Sequence, residues 1–152
     1  MSAHTVSVSL QLRWGDMNTN SHINNVSIAR LFEESRVRAM PQLIAVDGAS
    51  IPLREADGSA VSGLVVVRQV IEFLATAPYT PDDVTATVWL SRVGGSSFDV
   101  SAVLHGTDGT PFAQAESTLV GVGPNGSSVA LPAEVAAVMR SRAQPPLPLR
   151  RS

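Results

Sequence analysis

The residues best suited to chemistry lie together in one short polar segment, DMNTNSHINN at 16–25. Eight of its ten residues carry hydrogen-bonding side chains, and four of the five asparagines of the chain fall inside it. Asn24 or Asn25 is expected to cap a following helix, but a cap does not account for the aspartate, the histidine and two further asparagines. A helix start presents free backbone N–H groups and a positive dipole end, so polar groups beside it can hold a water or a carbonyl. We therefore predict that this segment is functional.

The elements around the segment are predicted from hydrophobic periodicity. Apolar and polar residues alternate over 5–13, which predicts a half-buried strand. A helix is predicted from near Val26 to Pro41, because proline disfavours helical conformation in the residue before it. Its apolar face carries Ile28, Leu31, Phe32, Ser35 and Ala39. Its solvent face carries Ser27, Arg30, Glu34 and Arg38, with the last three spaced for ion pairs.

The sequence pattern of the second half of the chain predicts an antiparallel sheet. A connection rich in turn residues is predicted at 47–60, and a hairpin turn is predicted at Thr107–Asp108–Gly109. The order of strand, long helix and four strands indicates an α+β fold with one helix against one antiparallel sheet. Strands are predicted over 61–76, 84–93, 98–105 and 112–122, and a short helix over 132–142.

Composition excludes several kinds of chemistry. The 152 residues suit one domain, and they include no cysteine and no lysine, so thiolate, disulfide and Schiff-base chemistry are excluded. No His and carboxylate spacing predicts a metal site, and no glycine-rich fingerprint predicts a Rossmann cofactor site. A net charge of −2 does not favour nucleic acid, and no apolar run is long enough to span a membrane. With no secretory signal pattern at the start, we expect a cytoplasmic protein.

The last 22 residues differ from the rest in charge. Residues 131–152 hold four arginines and one glutamate, and their end, RAQPPLPLRRS, is rich in proline. We interpret 1–130 as one domain and 131–152 as a short helix followed by a tail. The tail is expected to be frayed, and the alternative is an arm that docks on a partner subunit.

The segment RWGDMNTNSHINNVSIARLFEESR at 13–36 resembles the N-terminal signature of hotdog-fold acyl-CoA thioesterases of the 4-hydroxybenzoyl-CoA thioesterase-like superfamily. The matching positions are Asp16, His22, Asn24–Asn25 and Glu33-x-x-Arg36. The resemblance implies a long helix wrapped by a five-stranded antiparallel sheet, in homodimers or homotetramers with active sites between subunits. It also implies coenzyme A as part of the substrate rather than as a cofactor. The later turn at Gly95, Ser96 and Ser97 resembles the glycine–serine turn of that family, which implies a role in binding coenzyme A.

One departure from the family pattern affects the mechanism. The resemblance implies a catalytic carboxylate at position 18, where this chain has Asn18, and an amide cannot act as a nucleophile or a base. We expect Asn18 to position water, His22 to remove its proton, and the backbone at Asn25 to polarise the carbonyl. Asp16 is expected to orient the loop or His22. Glu33 is expected to pair with Arg36, or else to line the site as a carboxylate.

The resulting hypothesis is hydrolysis of an acyl thioester carried by coenzyme A or acyl carrier protein. Two alternatives remain. A non-catalytic acyl-CoA-binding protein is compatible with the missing carboxylate at Asn18. A hotdog hydratase or dehydratase is disfavoured because the His-Phe-Pro-Gly-like stretch that the resemblance would imply for a dehydratase is absent.

Overall fold

A computed structural model describes residues 4–46, 49–50 and 63–150. One long helix lies against an antiparallel five-stranded sheet, and a short helix follows the last strand. A two-stranded hairpin, Ala45–Val46 with Ala49–Ser50, follows the long helix. Only its second strand lies in the connection predicted at 47–60, of which 47–48 and 51–60 lie outside the described residues. The strands are β1 Val6–Leu10, β2 Ala45–Val46, β3 Ala49–Ser50, β4 Gly63–Phe73, β5 Val84–Val93, β6 Ser97–His105 and β7 Pro111–Val122, and the helices are α1 Asn25–Leu43 and α2 Ala133–Arg142.

The five-stranded sheet has the order β1-β5-β6-β7-β4, and every neighbouring pair is antiparallel. Alternate residues of β5 are buried against α1, from Val84 to Leu90, which fixes one face of the sheet as the core face. We call the opposite face the outer face. The predicted α+β fold with one helix on an antiparallel sheet is confirmed. The hairpin turn is confirmed as well, with Gly109 at a φ of 83° that favours glycine.

Helix α1 buries the face that its sequence predicts. The five predicted core residues, from Ile28 to Ala39, are all buried. Asn24 is the cap, and its side-chain oxygen accepts the N–H of Ser27 at 2.7 Å. Two details of the prediction were wrong. Ser27 is buried rather than on the solvent face, because its side chain hydrogen-bonds Asp16. The helix continues through Pro41 to Leu43, since a proline in the last turn removes only one intrahelical donor.

Two further boundaries differ from the prediction. The first strand ends at Leu10 rather than at residue 13. A 3-10 turn follows at Trp14–Asp16, in which the Asp16 N–H donates to the Arg13 carbonyl at 2.9 Å. Strand β4, Gly63–Phe73, ends three residues before the predicted end at 76, and the predicted first residues, 61–62, lie outside the described residues. The remaining strands agree with the predicted bounds to within one residue.

The two ends of the sheet carry different parts of the molecule. At one end, Leu10 of β1 pairs with Val84 of β5, and α1 starts close by. At the other end, His4 contacts the Gln42 carbonyl near the last turn of α1, and β5 turns into β6. The two ends are roughly 30 Å apart, because ten residues of β5 join them. A group at the start of α1 and a group in the β5–β6 turn are therefore distant within one chain.

The C-terminal segment packs on the rest of the chain. Helix α2 buries Val135, Ala136 and Met139 in the common core. The residues after it lie extended, and Gln144 N–H bonds the Leu90 carbonyl of β5 at 2.8 Å.

The chain then crosses the outer face of the sheet. There Trp89 Nε1–H donates to the Pro145 carbonyl at 3.1 Å, and Arg150 N–H donates to Glu72 at 2.7 Å. The expected frayed tail was therefore wrong for 143–150, because β4, β5 and the carbonyl of His4 all hydrogen-bond to it.

Candidate functional site

Asp16 forms the buried centre of the polar segment. It has no exposed surface, and its carboxylate accepts the Arg13 backbone N–H at 2.7 Å, the Arg13 guanidinium at 3.0 Å and the Arg30 guanidinium at 2.9 Å. Burial raises the pKa of Asp16, but the hydrogen bonds from Arg13 and Ser27 and the charge of Arg30 lower it further, so this pKa lies below its ordinary value of 3.8. A carboxylate held this way fixes the loop and does not act as a base at neutral pH.

Asn18 shapes the turn that follows. Its side-chain oxygen accepts the backbone N–H groups of Asn20 at 2.9 Å and His22 at 3.2 Å, and its own backbone pairs with the His22 carbonyl at 2.7 Å. The loop passes through Ser21, which has a φ of 61°, in the left-handed region that few residues other than glycine adopt. The Asn18 oxygen is therefore committed to the loop, and only its NH₂ group can meet a ligand.

His22 stands half-buried between this turn and the helix start. Its backbone bridges to Pro78, and the next residue, Ile23, donates its N–H to the Ala77 carbonyl at 2.8 Å. The backbone of 77–78 thus fixes one side of the loop, and the buried Asp16 carboxylate fixes the other side. The backbone of His22 is therefore fixed, and its half-buried side chain can still be reached from the solvent.

The start of α1 offers two backbone donors. Of the four N–H groups that precede the first intrahelical bond, Asn24 donates to the Asp16 carbonyl at 2.8 Å and Ser27 donates to the Asn24 side chain. The N–H groups of Asn25 and Val26 have no acceptor in the part of the chain that the structure describes. Val26 is 74% exposed, so a ligand can reach this position. The geometry matches a site for a carbonyl oxygen that gains negative charge.

Glu33 and Arg36 do not form the expected ion pair. The ion pairs among the described residues include Arg30–Glu34 at 3.5 Å and Glu34–Arg38 at 3.3 Å, as the helix spacing predicted, but none between Glu33 and Arg36 within 4.0 Å. Glu33 is exposed, whereas Arg36 is buried and donates to the Ser117 hydroxyl at 3.3 Å. Both line a groove beside β4 whose other walls are apolar.

The glycine–serine turn at 95–97 does not lie near the polar segment at 16–25. The carbonyls of Gly95 and Ser96 accept the N–H groups of Leu131 at 2.9 Å and Gly121 at 3.1 Å, and the Ser97 hydroxyl accepts Arg92 at 3.0 Å. The turn sits between β5 and β6, at the end of the sheet far from the start of α1. Within one chain the structure therefore brings together Asp16, Asn18, His22 and Asn25, and it does not bring Gly95, Ser96 and Ser97 to them.

Sequence reasoning missed the groups that hold Asp16. Arg13 and Arg30 lie 3 and 14 residues from Asp16 in the sequence. The only sequence pattern that involved either of them was the spacing of Arg30 and Glu34, and that pattern predicted a solvent-exposed ion pair rather than a contact with Asp16. In residues 4–46, 49–50 and 63–150, no group of three or more His, Asp or Glu side chains could hold a metal ion. Within the same ranges, no helix is long and apolar enough to cross a membrane.

A sequence profile described as the thioesterase-like superfamily matches residues 12–139, more than four-fifths of the chain. The chain belongs to this superfamily. The match begins just before the polar segment and ends in α2, so it includes every candidate site residue. No curated protein matches the chain in sequence.

Solved structures similar to this superfamily member span almost its whole length. A predicted thioesterase from Bacillus stearothermophilus is 20% identical, with a TM-score of 0.73 over 93% of this chain and 98% of that one. A thioesterase from Thermus thermophilus, complexed with coenzyme A and Zn, is 23% identical, with a TM-score of 0.70 over 91% and 99% of the two chains. A hypothetical protein from Staphylococcus aureus in complex with CoA is 13% identical, with a TM-score of 0.75 over 100% and 92%. At these identities the likeness shows the fold, which is the hotdog fold.

Proposed function

We propose that this protein hydrolyses an acyl thioester of coenzyme A or of acyl carrier protein to a free acid and a thiol. The observation that carries the proposal is that the N–H groups of Asn25 and Val26, close to His22 in the sequence, have no acceptor among the described residues of this member of the thioesterase-like superfamily. The coenzyme A in the solved relatives from Thermus thermophilus and Staphylococcus aureus supports coenzyme A as the carrier.

In this proposal the thioester carbonyl accepts hydrogen bonds from the two N–H groups at the start of α1. When water attacks, the carbonyl oxygen becomes negatively charged, and each fixed donor stabilises it by about 3 kcal/mol. The helix dipole adds to the same effect. Collapse of the tetrahedral intermediate breaks the C–S bond and releases the thiol, which takes up a proton.

His22 is the proposed base for the attacking water. Asp16 is buried under two arginines with a lowered pKa, and the Asn18 oxygen already accepts two backbone N–H groups. That leaves the His22 imidazole as the group of the loop that can act as the general base. The NH₂ group of Asn18 can donate one hydrogen bond to the water and thereby position it. Glu33 on the next part of α1 is the alternative base.

The test is release of free thiol from a series of acyl-CoA substrates. The chain holds no cysteine, so a thiol reagent reports only the product. His22→Ala is expected to lower kcat about 10²- to 10⁴-fold, the usual contribution of a positioned base. His105→Ala is the matched control, since His105 lies at the end of β6 outside the loop. If His22→Ala keeps its rate while Glu33→Gln loses it, Glu33 is the base.

A second function, binding of acyl-CoA without turnover, is favoured by one observation: the side-chain oxygen of Asn18, at the position where the resemblance implies a catalytic carboxylate, accepts two backbone N–H groups of the turn. The two functions differ in the response to Asn18→Asp. An aspartate oxygen can accept the same two N–H groups and leave the second oxygen free as a base. If the wild-type protein binds coenzyme A with no thiol release and Asn18→Asp gains turnover, the protein is a binder.

A further inference from the structure

The C-terminal arm, residues 143–150, is attached to the molecule without joining its core. None of its residues is buried, and only Gln144, Leu147 and Leu149 are half-buried. The backbone is already extended at Ala143, with a φ of −62° and a ψ of 141°. Prolines at 145, 146 and 148 keep it extended and lack the N–H groups that would pair with a strand. The arm therefore resembles a bound extended peptide more than an element of the fold.

Four hydrogen bonds hold the arm, and they lie at its two ends. They run from Gln144 N–H to the Leu90 carbonyl at 2.8 Å, from Gln144 Nε2 to the His4 carbonyl at 2.7 Å, from Trp89 Nε1 to the Pro145 carbonyl at 3.1 Å, and from Arg150 N–H to Glu72 at 2.7 Å. Extended proline-rich segments commonly dock on aromatic side chains, and the Trp89 indole has this role here.

Between these ends the arm fits its own sheet incompletely. The hydrogen bond within 146–149 is internal, from Leu149 N–H to the Leu147 carbonyl at 2.9 Å, and none joins 146–149 to the sheet in the part of the chain that the structure describes. An open cavity of about 720 Å³ remains there, with Arg68, Val70 and Glu116 on the side of the sheet. Because the arm starts at the end of α2, that attachment limits its path across the face. The arm of another molecule is free of this limit.

The arm and the face that it crosses also have complementary charges. On the face, Arg68 pairs with Glu116 at 3.1 Å, and Glu72 accepts the Arg150 N–H. Two carboxylates thus stand against one cation on this part of the face, while the arm brings the positive charge of Arg150. Such complementarity favours this segment over other extended segments.

We propose that the outer face is a docking site for the arm of a second copy of this chain, so that copies exchange their arms. An exchanged arm makes the contacts that are already seen within one chain, so no new complementary surface is needed. Opening the arm moves no buried residue, so it does not require the core to unfold. A tethered segment acts at a millimolar effective concentration, so exchange should increase with protein concentration. The proposal is independent of thioester hydrolysis.

The test uses the two tryptophans of the full chain. Wild-type protein labelled with a nitrogen isotope is mixed with an excess of protein of natural isotope content that carries a spin label on Pro146→Cys, the only cysteine of that variant. An exchanged arm brings the spin label next to Trp89 of the isotope-labelled copy, so we expect the signal of the Trp89 indole N–H to be lost. Trp14 lies in the 3-10 turn at 14–16, and its retained signal is the internal control.

A second spin-labelled variant separates docking from simple proximity in a dimer. It carries Leu147→Asp and Leu149→Asp in addition to Pro146→Cys, which removes the half-buried contacts of the arm and adds acids near Glu116. We expect this variant to leave the Trp89 signal unchanged. Loss of the signal with both variants would overturn the proposal, and so would a full signal with both.

Amide hydrogen exchange of the wild-type protein gives a measurement that needs no variant. The Gln144 N–H bonds Leu90 of β5, so its exchange reports opening of the arm. We expect Gln144 to exchange much faster than the buried pairs of β5 and β6, because the arm opens by itself. Exchange of Gln144 as slow as that of β5 would contradict the proposal, since the arm would then leave the face only when the whole domain unfolds.

Discussion

The replacement Asp16→Asn tests whether this carboxylate holds the site loop together. The amide keeps the size of the side chain but turns one oxygen into an NH₂ group. Each Asp16 oxygen accepts two N–H donors, from Arg13 on one side and from Arg13 and Arg30 on the other. Whichever way the amide is oriented, two donors then face its NH₂ group, and the negative charge between the two arginines is lost.

The size of the effect follows from these contacts. A hydrogen bond to a charged group contributes about 1.5–3 kcal/mol, and two are lost. The Arg13 side chain is 64% exposed and can turn to water, so the lower end of that range applies. We expect Asp16→Asn to lower the free energy of unfolding by about 3 kcal/mol at neutral pH. A loss of this size is a large part of the stability of a domain.

The pH dependence has a definite sign. The pKa of Asp16 in the folded protein lies below 3.8, its ordinary value. Its contribution to stability is therefore fully present above 3.8 and is lost as the pH falls through the lower, folded value. The variant has no carboxyl group to titrate here. The difference in stability between wild type and variant should shrink as the pH is lowered below 3.8.

Urea unfolding followed by tryptophan fluorescence measures both effects, since Trp14 adjoins the loop. Both proteins are compared at one protomer concentration, because association would shift the midpoint. Asp108→Asn is the matched control: Asp108 is an exposed turn residue whose oxygen accepts the Thr110 N–H, a bond that an amide also accepts. The control should change little. An unchanged midpoint for Asp16→Asn at neutral pH would refute the proposed role of Asp16.

Two further predictions concern the helix start and the sheet edge. Asn25→Pro should lower kcat well below that of Asn25→Ala, because proline removes the backbone donor and alanine keeps it. Asn24 has a ψ of 158°, which suits a residue before proline, so the fold should tolerate the change. Equal rates for the two variants would show that the Asn25 N–H takes no part in the reaction. The protein should sediment with at least twice the 16.0 kDa mass of one chain, since β4 is an edge strand with exposed Val65, Val66 and Val67. Val67→Lys should shift it toward the monomer, and a wild-type monomer at micromolar concentration would contradict the expectation.

Local periodicity predicted most of the fold. The alternation in β5 and the apolar face of α1 each depend on residues within one element, so their burial could be read directly from spacing. The resemblance at 13–36 then gave the arrangement of helix and sheet. The boundary of the first strand was missed because the Asp16 carboxylate, six residues beyond Leu10, draws the chain into a 3-10 turn.

Contacts between distant parts of the chain were not predictable in the same way. The segment after Arg142 has a composition typical of a frayed end, yet Trp89 and Leu90 of β5 hold it. Arg36 was assigned to a pair with Glu33 because helix spacing allows one, but its actual partner is Ser117, 81 residues away. Spacing within a helix says which residues can meet, whereas burial against the sheet decides which partner is chosen.

The hydrogen bonds that Asn18 makes in the structure, rather than its residue type, show what its side chain does. From the sequence, the amide was expected to position water, and the missing carboxylate was the main argument against catalysis. In the structure its oxygen caps two backbone N–H groups in a turn that passes through a left-handed Ser21. A carboxylate at this position would serve the same turn with one oxygen and the reaction with the other. The amide keeps the first role and cannot take the second, so the proposed hydrolysis assigns catalysis to the helix-start N–H groups and to His22, with Glu33 as the alternative base.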